Sequence, residues 1–92
     1  MSATRYSFST SVDERTGRVM AVYFKLRQGE VDDTREVVEG KAFADYDADG
    51  ALLGVELLAP CDVAVLDTLA KEEPESVRRF FRRVSPREMV LV

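Results

Sequence analysis

The chain has 92 residues and a mass of 10.3 kDa, with 46% hydrophobic and 33% charged residues. That is one domain with one modest core, and too apolar for wholesale disorder. A net charge of −4 argues against general nucleic-acid or anionic-membrane binding, which starts from a positive field. There is no histidine and one cysteine, which removes Ser-His-Asp and Cys-His nucleophiles, His-ligated metal sites and any internal disulfide.

Taken in chain order, residues 6–12 alternate strictly. Tyr6, Phe8, Thr10 and Val12 lie on one side and three serines on the other, the period of a half-buried strand. A polar turn over 13–17 ends at Gly17, which can take positive φ. Residues 18–26 form the strongest strand, with Met20, Val22, Phe24 and Leu26 on one face and Val19, Ala21 and Tyr23 on the other. Both faces are partly apolar, which predicts a central position. After a break at Gln28, Gly29 and Glu30, short strands over 34–38 and 42–46 flank a tight turn at Glu39 and Gly40. A second turn over 47–50 leads to a strand over 52–58. Pro60 ends the sheet section. Val63, Leu66, Leu69 and Ala70 then follow helical spacing, with Asp62 placed to cap. Pro74 opens a second helix whose apolar stripe is Val77, Phe80, Phe81 and Val84, and Ser85 and Pro86 stop it. Residues 89–92 are a short apolar run, read as a packed tail or an added edge strand. The expected fold is α+β: a small antiparallel β-meander of about five strands over 1–60, with one or two C-terminal helices from 61–92 packed on one face of the same single domain.

Val22-Tyr-Phe-Lys-Leu26, Thr34-Arg-Glu-Val37 and Asp45-Tyr-Asp-Ala-Asp-Gly-Ala-Leu-Leu-Gly-Val-Glu-Leu-Leu58 resemble the DUF2283 family of small bacterial and archaeal proteins of unknown function. The resemblance spans 22–58. Its most specific part is the D-x-D-G turn followed by an apolar-Gly-apolar-Glu-apolar strand. Before Val22 the chain departs from the family's pattern, with Met20 where an acidic residue often falls. The resemblance implies a small β-meander with helical decoration. Some relatives look like partners of small toxin-like proteins, so it also implies an antitoxin-like role as one form of function.

Several residue groups carry candidate chemistry. Asp45, Asp47, Asp49, Gly50 and Glu56 satisfy the spacing of an EF-hand calcium loop. Strand patterns on both sides, in place of helices, make a β-hairpin the stronger reading of the same letters. Asp45 and Asp47 share a strand face, the arrangement of a carboxylate dyad, but nothing nearby supplies a nucleophile or an oxyanion stabiliser. Cys61 stands just before a helix start, where a thiol can become reactive, although a lone cysteine is more often a small buried residue.

The charge is unevenly placed. Residues 1–60 hold 7 basic against 11 acidic side chains, whereas 61–92 hold 6 of each with the bases gathered in a block. Arg78, Arg79, Arg82 and Arg83 turn outward on the second helix, with Glu75 able to pair at i+3 and i+4. A solvated basic face is the plainer reading of the block, contact with an acidic protein surface the functional one, and nucleic acid is disfavoured by the overall charge. Val19, Ala21 and Tyr23 predict a dimer surface if the helices leave their face uncovered. The function expected is a non-enzymatic protein–protein interaction module acting as a homodimer, in one version antitoxin-like. The alternative is a small ligand- or cation-binding protein using the acidic turn from Asp45 to Glu56. No catalytic residue, metal ligand or cofactor is assigned. The longest apolar run, 19–24, is far too short to span a membrane and the first residues lack an apolar leader, so a cytoplasmic protein is expected.

Overall fold

The computed structural model describes residues 5–84; the expected helix stop at Ser85 and Pro86 and the apolar run 89–92 lie outside them. Five strands and two helices follow in order: β1 (Ser7–Val12), β2 (Val19–Lys25), β3 (Asp33–Val38), β4 (Ala42–Tyr46), β5 (Leu52–Leu58), α1 (Val65–Leu69) and α2 (Glu75–Val84). Every strand pairing is antiparallel. The α+β architecture, with both helices late in the chain, is therefore the one the residue patterns predict. No helix among the described residues is long and apolar enough to cross a membrane.

Strand order in the sheet is β1-β2-β5-β4-β3, so the meander is not continuous. The β1–β2 hairpin and the β3–β4–β5 meander are two units joined where β5 pairs with β2. Burial explains the arrangement. β5 carries five buried residues out of seven, the most apolar strand, and it takes the centre. β3 is exposed at all six positions and takes an edge. The turn of the first hairpin forms as its residues suggest: the Asp13 Oδ1 accepts the Arg15 and Thr16 amides at 2.8 and 3.1 Å, and Gly17 adopts φ 72°.

One sheet face holds the core. Val22, Phe24, Val55, Leu57, Ala42 and Ala44 are at most 1% exposed and pack in one cluster with Leu66 and Ala70 around α1 and Val77 and Phe81 from α2. Phe24 is its hub, with the rings of Phe8, Phe80 and Phe81 at centroid distances of 5.4, 5.8 and 5.1 Å. Arg27 clamps the layers at one end, donating to the Leu52 carbonyl at 2.6 Å and pairing with Glu73 at 2.7 Å. The second helix starts where expected, directly after Pro74. By contrast, α1 starts at Val65 with Ala64 at its N-cap and no side-chain cap, so Asp62 is not the cap that its position suggests. Asp62 Oδ1 accepts the Ala64 amide at 2.9 Å in the turn before α1, and the Pro74 carbonyl accepts the Val77 amide at 2.9 Å in the first turn of α2.

Three bulges break the alternation. The β1–β2 register passes from Ser11 opposite Ala21 to Val12 opposite Val19, leaving Met20 as the extra residue, 53% exposed. Val19 thereby packs against the core cluster and not beside Ala21 and Tyr23, which corrects the expected grouping of those three on one surface. Val37 is the extra residue between β3 and β4. Leu53 is the extra residue between β4 and β5, which brings Leu52 opposite Tyr46 and into the core.

Candidate interaction surface

α2 is positioned by its apolar stripe. Val77 and Phe81 are buried and Phe80 and Val84 half-buried, so the arginines lie on the opposite, solvent-facing sides. The four arginines differ in what holds them. Arg78 is tied into the fold: its Nε and Nη2 donate to Glu75 Oε2 at 3.0 and 2.8 Å, and its Nη1 donates to the Glu73 carbonyl at 3.2 Å. Arg79 and Arg82 lie 4.0 and 3.8 Å from Glu75 Oε1 with side chains 70% and 61% exposed. Arg83 is exposed and makes no ion pair among the described residues. One carboxylate thus serves three guanidinium groups, and the Arg78 hydrogen bond and charge hold Glu75 below its ordinary carboxylate range. Because this lowers the folded-state value, the associated stability is present above the ordinary carboxylate range and lost on acidification.

Beside α2 runs a groove of about 580 Å³ lined by Tyr6, Ser76, Arg79, Phe80, Arg83 and Val84. Its floor is aromatic, with the Tyr6 and Phe80 rings 5.1 Å apart. The Tyr6 hydroxyl and the Ser76 hydroxyl share a hydrogen bond of 2.6 Å that ties the head of β1 to the first turn of α2. Of the predicted partner-binding residues, the structure brings Arg79 and Arg83 together on this groove, leaves Arg82 outside its lining and commits Arg78 to the helix start. The apolar spacing placed Phe80 on the helix's inner stripe, but no local signal connects Ser76 with Tyr6, seventy residues away.

The sheet face away from the helices carries Ala21 and Tyr23, paired across to Leu58 and Glu56, with Phe43 beyond Glu56. These side chains are half-buried. A polar strap crosses four strands here. Tyr23 donates to Asp45 Oδ2 at 2.9 Å, Thr34 donates to Asp45 Oδ1 at 2.6 Å, and the Tyr23 phenol lies directly over Gly54. Burial first, and the Asp45 contact second, push the Tyr23 hydroxyl up to about 12. A glycine in the middle of a strand is the sequence signal for such a close approach.

The other candidate chemistries are taken up by structure. The Asp47 side chain accepts the Asp49 and Ala51 amides, both at 2.9 Å, closing a hairpin turn between β4 and β5. Asp45 faces Tyr23 and Thr34, so the two carboxylates serve different partners and form no dyad. No group of three or more carboxylate or thiol side chains able to hold a metal ion occurs among the described residues. Cys61 is buried, and desolvation and Asp62 push its thiol up, away from the thiolate form that reactivity needs. No family model, curated protein or solved structure gives a significant match to this chain.

Proposed function

We propose that the protein is a non-enzymatic interaction module of the cytoplasm, a homodimer that takes an acidic protein surface on the basic side of α2; an antitoxin-like pairing is one form this would take. The observation that carries the reading is the pairing of Arg79 and Arg83 on an aromatic-lined groove, with Glu75 Oε1 4.0 Å from Arg79. Guanidinium groups beside aromatic rings are what protein interfaces favour, and a basic patch on a molecule of net charge −4 has steering value for an acidic partner. The half-buried row of Ala21, Leu58, Tyr23 and Phe43 supports a second copy as the cover of the open sheet face.

Affinity capture from a lysate of the source organism, with the Arg79→Glu, Arg83→Glu double variant beside the parent chain, tests this. A stoichiometric partner retained by the parent and lost by a variant with an unchanged melting temperature is the expected result. Equal capture by both chains overturns the assignment to α2. Light scattering on the same preparations reads the oligomer, and a monomer at all concentrations removes the dimer.

A further inference from the structure

We propose that the outer edge of β1, together with the groove beside α2, docks an extended acidic peptide segment of a partner protein as an added strand. This rests on the interaction reading above and names the form of the partner.

The two edges of the sheet are built differently. β3 is blunted: Asp33, Arg35 and Glu36 charge it, Val37 bulges from it, and Arg35 is held over the Tyr46 ring at 4.4 Å and against Asp33 at 3.0 Å. Those are the devices by which an edge avoids pairing. β1 has none of them. Residues 6–12 contain no charge and no proline, and the register with β2 is regular from Ser7 to Ser11. Alternate residues of a strand turn their N–H and C=O outward, so about three residues of β1 offer main-chain groups to a new neighbour.

The groove adds selectivity at the head of that same edge. Tyr6 is both the residue preceding β1 and part of the groove lining, so a strand laid along β1 reaches, at its Tyr6 end, the groove that Phe80, Val84, Arg79 and Arg83 also line. An apolar side chain fits the floor, and a neighbouring carboxylate meets the guanidinium rim. In strand addition the main chain supplies affinity and such pockets supply specificity. Charge also decides which edge is used. Residues 30–49, which contain β3 and β4, hold eight carboxylates against two bases, so an acidic segment is repelled from the β3 side and drawn to the β1 side. A second copy of β1 is a poorer occupant, because residues 6–12 bring no carboxylate to Arg79 and Arg83.

The test is a titration of the full ¹⁵N-labelled chain with a blocked hexapeptide alternating glutamate and valine, and with its lysine–valine counterpart. Strand addition predicts amide shifts centred on Ser7–Val12 and slowed hydrogen exchange at alternate residues of β1. It also predicts at least tenfold weaker binding of the lysine peptide, and at least tenfold weaker binding of the acidic peptide to the Arg79→Glu, Arg83→Glu variant. Should that variant fold poorly, Arg79→Gln, Arg83→Gln shows the same loss in reduced form. Shifts confined to α2, with β1 exchange unchanged, overturn strand addition while leaving the interaction reading standing. Absence of any shift also overturns it, and the lysate capture then decides the broader reading separately. Protection of β1 before peptide is added overturns the proposal: in a dimer by light scattering a second copy holds the edge, and in a monomer this chain's own residues hold it.

Discussion

A β-carbon at position 54 would lie 2.6 Å from Tyr23 Cζ and 3.0 Å from the Phe24 carbonyl oxygen, so only glycine lets the phenol cross β5 and reach Asp45. Gly54→Ala must lift the ring and break the Tyr23–Asp45 bond, at a cost of about 1–3 kcal/mol. In a domain of this size that lowers the melting temperature by roughly 4 °C or more. A thermal melt checks it, and an unchanged midpoint would show that the strap contributes nothing. The same strap sets an alkaline limit. With Tyr23 pushed up to about 12 from an ordinary 10, the folded chain binds its proton more tightly than the unfolded chain does. That stability is complete below pH 10 and is lost as the pH rises through 12. Urea midpoints measured across this window are expected to fall, and to fall less in Tyr23→Phe. Equal slopes in the two chains would remove Tyr23 as the cause.

At the scale of elements, α2 reads almost directly from its letters, because the i, i+3, i+4, i+7 stripe and the arginines between are local properties of a helix. Beyond the helix itself, the Arg27 clamp ties the segment ahead of it to the sheet. Arg27 joins the β2 end, the Leu52 carbonyl and Glu73 ahead of α2, with side-chain exposures of 37% and 17% for the ion pair. Partial solvent access trims its worth, and Arg27→Ala is expected to cost about 1–2 kcal/mol, read from denaturant unfolding. A loss below a few tenths would mark the clamp as incidental. The strands were legible as strands, with boundaries within a residue or two, but their faces were not always. Unbroken alternation through 18–26 puts Val19 with Ala21 and Tyr23. The bulge at Met20 slides Val19 onto the core side, and no residue type there announces it.

Across the whole molecule, the sheet order segregates charge. Placing β5 beside β2 sends the acidic 30–49 segment to one side of the sheet and leaves β1, with Tyr6 at its head against Phe80 of α2, on the other. A continuous meander would have kept β2 next to β3 and brought that acid close to the arginines. The pairing that actually forms puts the eight carboxylates of 30–49 on the β3 side of the sheet, away from the groove that Arg79 and Arg83 line beside Tyr6. Reversing Arg79 and Arg83 therefore changes the charge on the β1 side of the molecule as well as a local contact.

The sequence by itself determined the fold class, the number and limits of the strands, the helix that carries the basic face, and the hairpin reading of the Asp45–Asp47–Asp49 turn. Each of these rests on spacing along the chain, and period, turn chemistry and helix-terminal preference are short-range physics. Only the tertiary structure decided that β5 sits at the centre, that Tyr6 meets Ser76 and Phe80, that Gly54 lies under Tyr23, and that Arg78 is committed while Arg79 and Arg83 border a groove. Those depend on which apolar surfaces bury one another, a competition among all elements at once that no local pattern encodes.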